Sequence, residues 1–83
     1  MKNTGWKRDI TAFGMNPPEF GGFTKVKDGT EYYVGAWDSE YHLGYFVVVL
    51  GRFDSDEDVI VKGRKKVKKR EVQSVIKKYM TLI

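Results

Sequence analysis

The stretch "FTKVKDGTEYYVGAW", residues 23–37, decides the fold because its pattern is typical of a β-hairpin. Asp28-Gly29 accepts the positive φ angles that a two-residue type I′ turn requires, and β-branched and aromatic side chains flank it. A loop of two residues pairs Lys27 with Thr30. The segment therefore predicts two antiparallel strands with a fixed register.

This register predicts which side chains lie opposite one another. Aromatic and β-branched partners stabilise neighbouring strands, whereas two facing glycines leave a gap in the sheet surface. A helix, a bulge or a ligand would fill such a gap, and we expect the helix. The predicted partners are Phe23 with Val34, Phe20 with Trp37, and Gly22 with Gly35.

Two further strands are predicted beyond the hairpin. Residues 43–53, "LGYFVVVLGRF", are too short and too β-branched for a helix and suit a central strand. The acidic loop "DSDED", residues 54–58, follows, and "DVIV", residues 58–61, predicts a short fourth strand.

Apolar residues near the end of the chain recur at steps of three and four, which predicts an amphipathic helix over residues 66–82. The expected fold is α+β, a small antiparallel β-meander of three to five strands with this one C-terminal α-helix packed on one face. Residues 1–83 form a single domain, in which 1–19 is a poorly defined N-terminal segment and 20–62 is the sheet. The stripe comprises Val72, Val75, Ile76, Tyr79 and Met80.

Composition limits what this domain can be. With 83 residues, of which 41% are hydrophobic, the chain can build one small core. Cysteine is absent, which excludes disulfides and thiolate metal sites and fits a reducing compartment. No apolar run reaches the roughly 18 residues that span a membrane. We therefore expect a cytoplasmic protein that has no membrane contact and no cofactor.

The charge is unevenly distributed, because residues 59–83 carry nine bases and one acid whereas residues 38–58 carry one base and six acids. Most of the bases lie in "VKGRKKVKKREV", residues 61–72. Bases are unfavourable in the first turn of a helix, and no Ser, Thr, Asp or Asn between Lys62 and Glu71 caps one.

Two structures for this run stay open. If the helix begins near Arg64, then Lys66, Arg70, Gln73 and Lys77 form a basic ridge beside the apolar stripe. If Gly63-Arg64 form a turn, residues 65–69 are an edge strand with Val67 pointing inward, and the helix begins near Arg70.

Such a concentration of charge in one segment favours phosphate binding. We predict a non-catalytic nucleic-acid-binding module, for DNA or RNA, that contacts phosphates through the basic segment at the start of the helix. Exposed rings among Tyr32, Tyr33, Trp37, Tyr41 and Tyr45 would add stacking on unpaired bases. The predicted contacts are Arg64, Lys65, Lys66, Lys68, Lys69, Arg70 and Lys77.

The alternative is a small protein-binding inhibitor or adaptor that docks through its acidic loop, its basic segment and an exposed strand edge. A homodimer is a variant of this hypothesis, since a basic end and an acidic loop are complementary head to tail.

Residues for catalysis or metal binding are sparse. His42 is the only histidine, and no nucleophile has a recognisable base beside it. Asp38, Glu40 and His42 alternate along the chain as metal ligands can, although such spacing arises easily by chance. Residues 54–58 imitate the start of a calcium loop, but Val59 replaces its glycine and Lys65 its bidentate glutamate. We therefore predict neither an enzyme nor a metal site.

Overall fold

The computed structural model describes residues 5–9, 13, 18, 20–54 and 57–83. Its five strands form one antiparallel sheet in the order β1-β2-β3-β4-β5, and one helix follows, so the predicted α+β meander is confirmed. The predicted acidic loop and N-terminal segment lie partly outside the described residues. The elements are β1 (Lys7–Arg8), β2 (Phe23–Lys27), β3 (Thr30–Asp38), β4 (Tyr45–Asp54), β5 (Glu57–Lys68), a 3₁₀ turn (Lys69–Glu71) and α1 (Val72–Met80).

The hairpin of β2 and β3 has the predicted turn and register. Asp28 and Gly29 adopt φ angles of 52° and 79°, as a type I′ turn requires. Lys27 pairs with Thr30, and the ladder continues regularly along both strands. Local turn chemistry therefore sets the alignment of this half of the sheet.

The register of the hairpin holds only as far as Phe23, which lies opposite Val34 as predicted. The predicted pairing of Phe20 with Trp37 is wrong. Gly21 adopts a φ of 86°, which turns the chain away from the extended path, and the Phe20 ring instead packs on Phe46 with centroids 4.9 Å apart.

The valine-rich strand β4 lies between β3 and β5, as predicted for a central strand. Val48 and Leu50 are fully buried on the face that α1 covers. Trp6 belongs to the same core, and its indole Nε1 donates a hydrogen bond to the carbonyl oxygen of Met80 at 2.9 Å. The Lys25 ammonium donates to the carbonyl oxygen of Ile83 at 3.0 Å. These two donors attach β1 and β2 to the C-terminal end of the helix.

The last strand and the helix have different bounds from those predicted. β5 is one continuous strand that runs to Lys68, so Gly63-Arg64 is not a turn and no helix begins near Arg64. The helical segment begins with the 3₁₀ turn at Lys69, close to Arg70, as the edge-strand alternative predicts. Val67 is fully buried opposite Phe46, which confirms its predicted inward direction and holds the basic run in the sheet. The α-helix α1 begins at Val72, after the last base of the run. None of these bases therefore lies in the first turn of α1, where a positive charge would oppose the helix dipole.

Aromatic side chains fill the face of the sheet opposite α1. A Cβ atom at Gly22 would collide with the Phe13 ring, and one at Gly35 would lie 2.7 Å from the Trp37 ring and 3.1 Å from the Cβ atom of Pro18. The expectation that a helix fills the gap between these glycines is therefore wrong, because α1 occupies the other face. The glycines instead let rings lie flat on the sheet.

The aromatic rings on the face opposite α1 form a second core. Tyr33 continues this second core towards the acidic end of β5. Its ring packs on Phe53 with centroids 4.9 Å apart and crosses Gly51, where a Cβ atom would collide with it. Its hydroxyl donates a hydrogen bond to the Asp58 carboxylate at 2.5 Å. Burial, reinforced by this hydrogen bond and by the negative charge of Asp58, raises the pKa of Tyr33 far above its usual value.

Substituting alanine for Gly51 should destabilise the fold, because the added methyl group displaces the Tyr33 ring. We expect Gly51→Ala to lower the free energy of unfolding in urea by about 1–3 kcal/mol. Gly63→Ala is the matched control, since its Cβ would meet the nearest atom at 3.8 Å, and its effect should stay within about 0.5 kcal/mol. Equal stability of the two variants would contradict the assigned ring packing.

Removing the hydroxyl of Tyr33 should both weaken the fold and change its alkaline pH dependence. Tyr33→Phe leaves the Asp58 carboxylate without its donor, and we expect the free energy of unfolding at neutral pH to fall by about 1.5–3 kcal/mol. Because the folded-state pKa is raised, the wild type loses stability as the pH rises above about 10, when the unfolded chain releases this proton first.

Tyr33→Phe should therefore lose stability less steeply than the wild type above that pH. Urea unfolding at a series of pH values measures both effects. Tyr41→Phe, at a residue that is 86% exposed, controls for the loss of a hydroxyl. Parallel pH profiles for the wild type and Tyr33→Phe would contradict the assigned hydrogen bond.

Candidate nucleic-acid interface

Seven positively charged side chains line one edge of the sheet. β5 is the last strand in the sheet order and pairs with β4, so its other side faces away from the sheet. All seven side chains are exposed. We call this surface the basic edge; it comprises Lys62, Arg64, Lys65, Lys66 and Lys68 in β5 and Lys69 and Arg70 in the 3₁₀ turn.

The basic edge presents charge to both faces of the sheet. Arg64 lies opposite Val48, whose side chain is buried beneath α1, and residues directly opposite share a face. The positive charge of Arg64 also acts on Tyr79 of the helix, where it partly offsets the rise in the pKa of Tyr79 that burial causes. Arg64 therefore belongs to the helix side.

An irregularity in the pairing of β4 and β5 places two bases side by side. Val48 pairs with Arg64 but Phe46 pairs with Val67, so Lys65 and Lys66 both lie opposite the single residue Val47. A bulge of this kind increases the local twist and bends the strand. It also interrupts the regular row of backbone groups that another strand would need in order to add to this edge.

Tyr45 lies beside these bases on the face opposite α1. It pairs directly with Lys68 across the strands, and the Lys66 ammonium lies 5.5 Å from the centroid of its ring. A cation at this distance is attracted to the electron-rich ring face. The half-buried Tyr45 ring and two bases therefore form one local surface.

Among the described residues, carboxylates do not form ion pairs with the basic edge. In residues 57–83 and the other described ranges, no side-chain nitrogen of the basic residues from Lys62 to Arg70 has a carboxylate oxygen within 4 Å; the Arg52–Asp54 pair, at 3.9 Å, lies at the far end of β4. Asp58 and Lys65 are separated by about 23 Å of extended strand, whereas charges in physiological salt are screened over about 8 Å. The acidic and basic segments thus act as separate surfaces.

Carboxylates near either end of β5 already have hydrogen-bonding roles. Asp58 accepts the Tyr33 hydroxyl, as described above. Glu71 accepts a hydrogen bond from the backbone N–H of Lys68 at 3.2 Å, and its own carbonyl oxygen accepts one from the Ser74 hydroxyl at 2.9 Å. Glu71 thus stabilises the connection into α1, where the sequence offers no Ser, Thr, Asp or Asn as a cap.

The predicted ridge of Lys66, Arg70, Gln73 and Lys77 does not form. Lys66 is in β5 and Arg70 is in the 3₁₀ turn, so these residues do not share one helix. Lys77 is exposed on α1, whose buried residues Val75, Ile76 and Tyr79 face the sheet. The structure therefore brings together six of the seven predicted contacts and leaves Lys77 on a separate element.

The connection from β3 to β4 lies at the same end of the sheet as Lys68. Its backbone is closed by hydrogen bonds from the Ser39 N–H to the Tyr45 carbonyl at 3.0 Å and from the Tyr45 N–H to the His42 carbonyl at 2.9 Å. Tyr41 and Leu43 project from it and are 86% and 99% exposed. A second exposed aromatic ring thus lies on the connection at this end of the sheet.

Metal-binding residues are not clustered in the described part of the chain. No group of three or more His, Asp or Glu side chains there could hold a metal ion, and Asp38, Glu40 and His42 are no exception. The backbone N–H of His42 donates to the Ser39 hydroxyl at 3.2 Å, within the turn itself. Asp56, part of the sequence that imitates a calcium loop, lies outside the described residues.

Sequence reasoning missed the contact between Lys66 and Tyr45. The contact depends on the register of β4 with β5. That register was not predicted, because the basic run was placed either in the helix or in a separate edge strand with no assigned partner. The available signal was Val67, a lone apolar residue among bases. Its inward direction, taken together with the length of residues 43–53, would have aligned the two strands.

No helix in the described ranges is long and apolar enough to cross a membrane. Comparison of the chain with protein-family models, curated proteins and solved structures gives no match.

Proposed function

We propose that this protein is a non-catalytic nucleic-acid-binding module, acting in the cytoplasm, that contacts phosphates through the basic edge. One observation carries the proposal: seven exposed basic residues lie on one strand edge and the adjoining turn, and among the described residues no carboxylate oxygen lies within 4 Å of their side-chain nitrogens. The phosphate groups of a nucleic acid would supply the missing negative charge. Binding would also release the counterions that the protein surface and the nucleic acid each hold when they are separate.

The geometry of the edge supports this proposal in two ways. Successive basic residues on one face of an extended strand lie about 6.6–6.8 Å apart, so a row of their side chains can contact a row of phosphates. Long lysine side chains adjust to the backbone of a nucleic acid without reading its sequence. We therefore assign the basic edge a positioning role that is independent of base sequence.

Neutralising part of the basic edge should weaken binding and reduce its salt dependence. For the triple variant Lys65→Gln, Lys68→Gln, Lys69→Gln, we expect the slope of log affinity against log salt to fall by about 2–3, since each phosphate contact contributes roughly 0.7–0.9. Fluorescence anisotropy with a labelled oligonucleotide over a salt series measures this slope.

The matched control removes the same charge elsewhere. Lys7→Gln, Lys27→Gln, Lys78→Gln neutralises three exposed bases on β1, β2 and α1, and it should leave the slope near that of the wild type. The single variant Lys77→Gln shows whether the helix takes part. If the slope falls equally in the two triple variants, the effect comes from net charge and not from the basic edge. If the wild type does not bind at low salt, the proposal is refuted.

A second candidate function is docking of a protein partner on the edge of β5. Ile60 and Val61 are 63% and 44% exposed there, between the acidic and basic ends of the strand. Exposed apolar residues flanked by opposite charges suit a protein partner whose charges steer docking.

This candidate predicts that a protein is retained on immobilised wild type after nuclease treatment of a lysate. Ile60→Asp should abolish the retention, whereas Leu82→Asp, at a residue 51% exposed beyond the end of α1, should not. Loss of every bound component on nuclease treatment would favour the nucleic-acid proposal instead.

A further inference from the structure

The Tyr45 ring differs from most other aromatic rings of the sheet because it lies beside basic side chains. The second core holds the rings of Tyr33 and Phe53, and Trp37 packs against Phe13 with centroids 5.6 Å apart. Tyr45 begins β4 at the opposite end of that strand from Phe53, on the face that α1 leaves uncovered.

We propose that the nucleic acid bound at the basic edge is single-stranded and that one of its unpaired bases stacks on Tyr45. This inference rests on the proposed function, since it names the class of nucleic acid which the same surface takes. Single strands bind to surfaces that combine a row of positively charged side chains with aromatic rings. Every nucleobase has a flat face that stacks on such a ring.

The spacing of charge and ring at this site fits a single nucleotide. The Lys66 ammonium lies 5.5 Å from the centre of the Tyr45 ring, and Lys68 is the cross-strand neighbour of Tyr45. A nucleotide carries its phosphate and its base on one sugar, so its two ends reach a cation and a ring that are close together. In a duplex the bases are stacked on one another and paired, and only phosphates would meet this surface.

Lys66 occupies one side of the ring in the free protein and gives way when a base binds. Stacking of a base on an aromatic ring is stronger than an exposed cation–π contact. The side chain of Lys66 is exposed, and its ammonium then moves from the ring to the adjacent phosphate. Ring and cation therefore exchange partners, and neither is left without one.

Tyr41 provides a second ring for a neighbouring base. It is 86% exposed on the β3–β4 connection, four residues before Tyr45. The hydrogen bonds that close this connection place it at the end of the sheet where Lys68 lies. Leu43, 99% exposed on the same connection, adds apolar surface on which a base can pack. The site thus extends from the basic edge onto this turn.

The test compares four labelled probes of equal phosphate number by fluorescence anisotropy at one low salt concentration: oligo-dT, oligo-U, an abasic strand and a hairpin duplex. The abasic strand keeps the phosphates and lacks the bases. Wild type should bind oligo-dT or oligo-U about 5- to 150-fold more tightly than the abasic strand. The oligo-dT and oligo-U arms show whether DNA or RNA is preferred.

Substitution of Tyr45 separates stacking from charge. Tyr45→Ala should lose most of the preference for oligo-dT over the abasic strand and leave affinity for the abasic strand unchanged, whereas Tyr45→Phe should keep that preference because it retains the ring. Since Tyr45 is half-buried, circular dichroism must first show that Tyr45→Ala is folded. Tyr41→Ala, at an exposed turn residue, gives a second reading that does not depend on the core, and it should weaken the same preference.

The outcomes distinguish this inference from the proposed function. Equal affinity for oligo-dT, the abasic strand and the duplex overturns single-strand stacking and leaves phosphate binding standing. Tighter binding to the duplex, or a Tyr45→Ala variant that keeps the preference for oligo-dT, also overturns it. No binding to any of the four probes refutes the proposed function itself, and this inference with it.

Discussion

Burial of Val67 in the edge strand β5 is the constraint on which the rest of the structure depends. This side chain is fully buried opposite Phe46, in a strand whose flanking residues are bases exposed to solvent. Burying a valine contributes about 1.5–3 kcal/mol, which favours the extended run and opposes the mutual repulsion of its charges. With Val67 in place, α1 begins at Val72, after the last of these bases. The position of every residue in the basic edge follows from that.

The length of β5 also separates the charges of the chain. The strand begins at Glu57 in an acidic segment and ends at Lys68 in a basic one, so its two ends differ in sign and lie far apart. The acidic end has a structural role, because the Asp58 carboxylate accepts a hydrogen bond from the hydroxyl of the buried Tyr33. The basic end has no comparable partner within the described chain. A difference in internal pairing, more than in net charge, is what distinguishes the two ends as candidate surfaces.

The sequence predicts the fold well where local chemistry determines structure. Asp28-Gly29 determines the turn, and the turn determines the register of β2 and β3, since a one-residue slip would reverse both faces. The apolar stripe of α1 was identified by its period, and the four predicted residues from Val72 to Tyr79 are buried. In these segments a single physical rule is sufficient, because no distant residue competes with it.

Elsewhere the structure depends on contacts that a linear pattern does not contain. Lysine and arginine favour helices intrinsically, and a bulge opposite Val47 breaks the alternation that would have marked a strand, so β5 was predicted to end too early. The gap at Gly22 is filled by Phe13, which comes from the N-terminal segment where the sequence gives no clear signal. Of the candidate site, the bases were identified from the sequence. Their arrangement around Tyr45 was not, because it required the strand pairing.

The placement of these basic residues on an edge strand links the proposed nucleic-acid binding to the stability of the fold. Side chains on an exposed edge point into solvent, where screening reduces repulsion, and bulges and lysines together prevent another strand from adding. The remaining repulsion opposes folding, since the unfolded chain can move the same charges apart. A bound polyanion cancels that repulsion in the folded state, in which the bases are aligned on one edge. Because a ligand that binds the folded state preferentially stabilises it, the residues that weaken the free domain are those through which a nucleic acid would strengthen it.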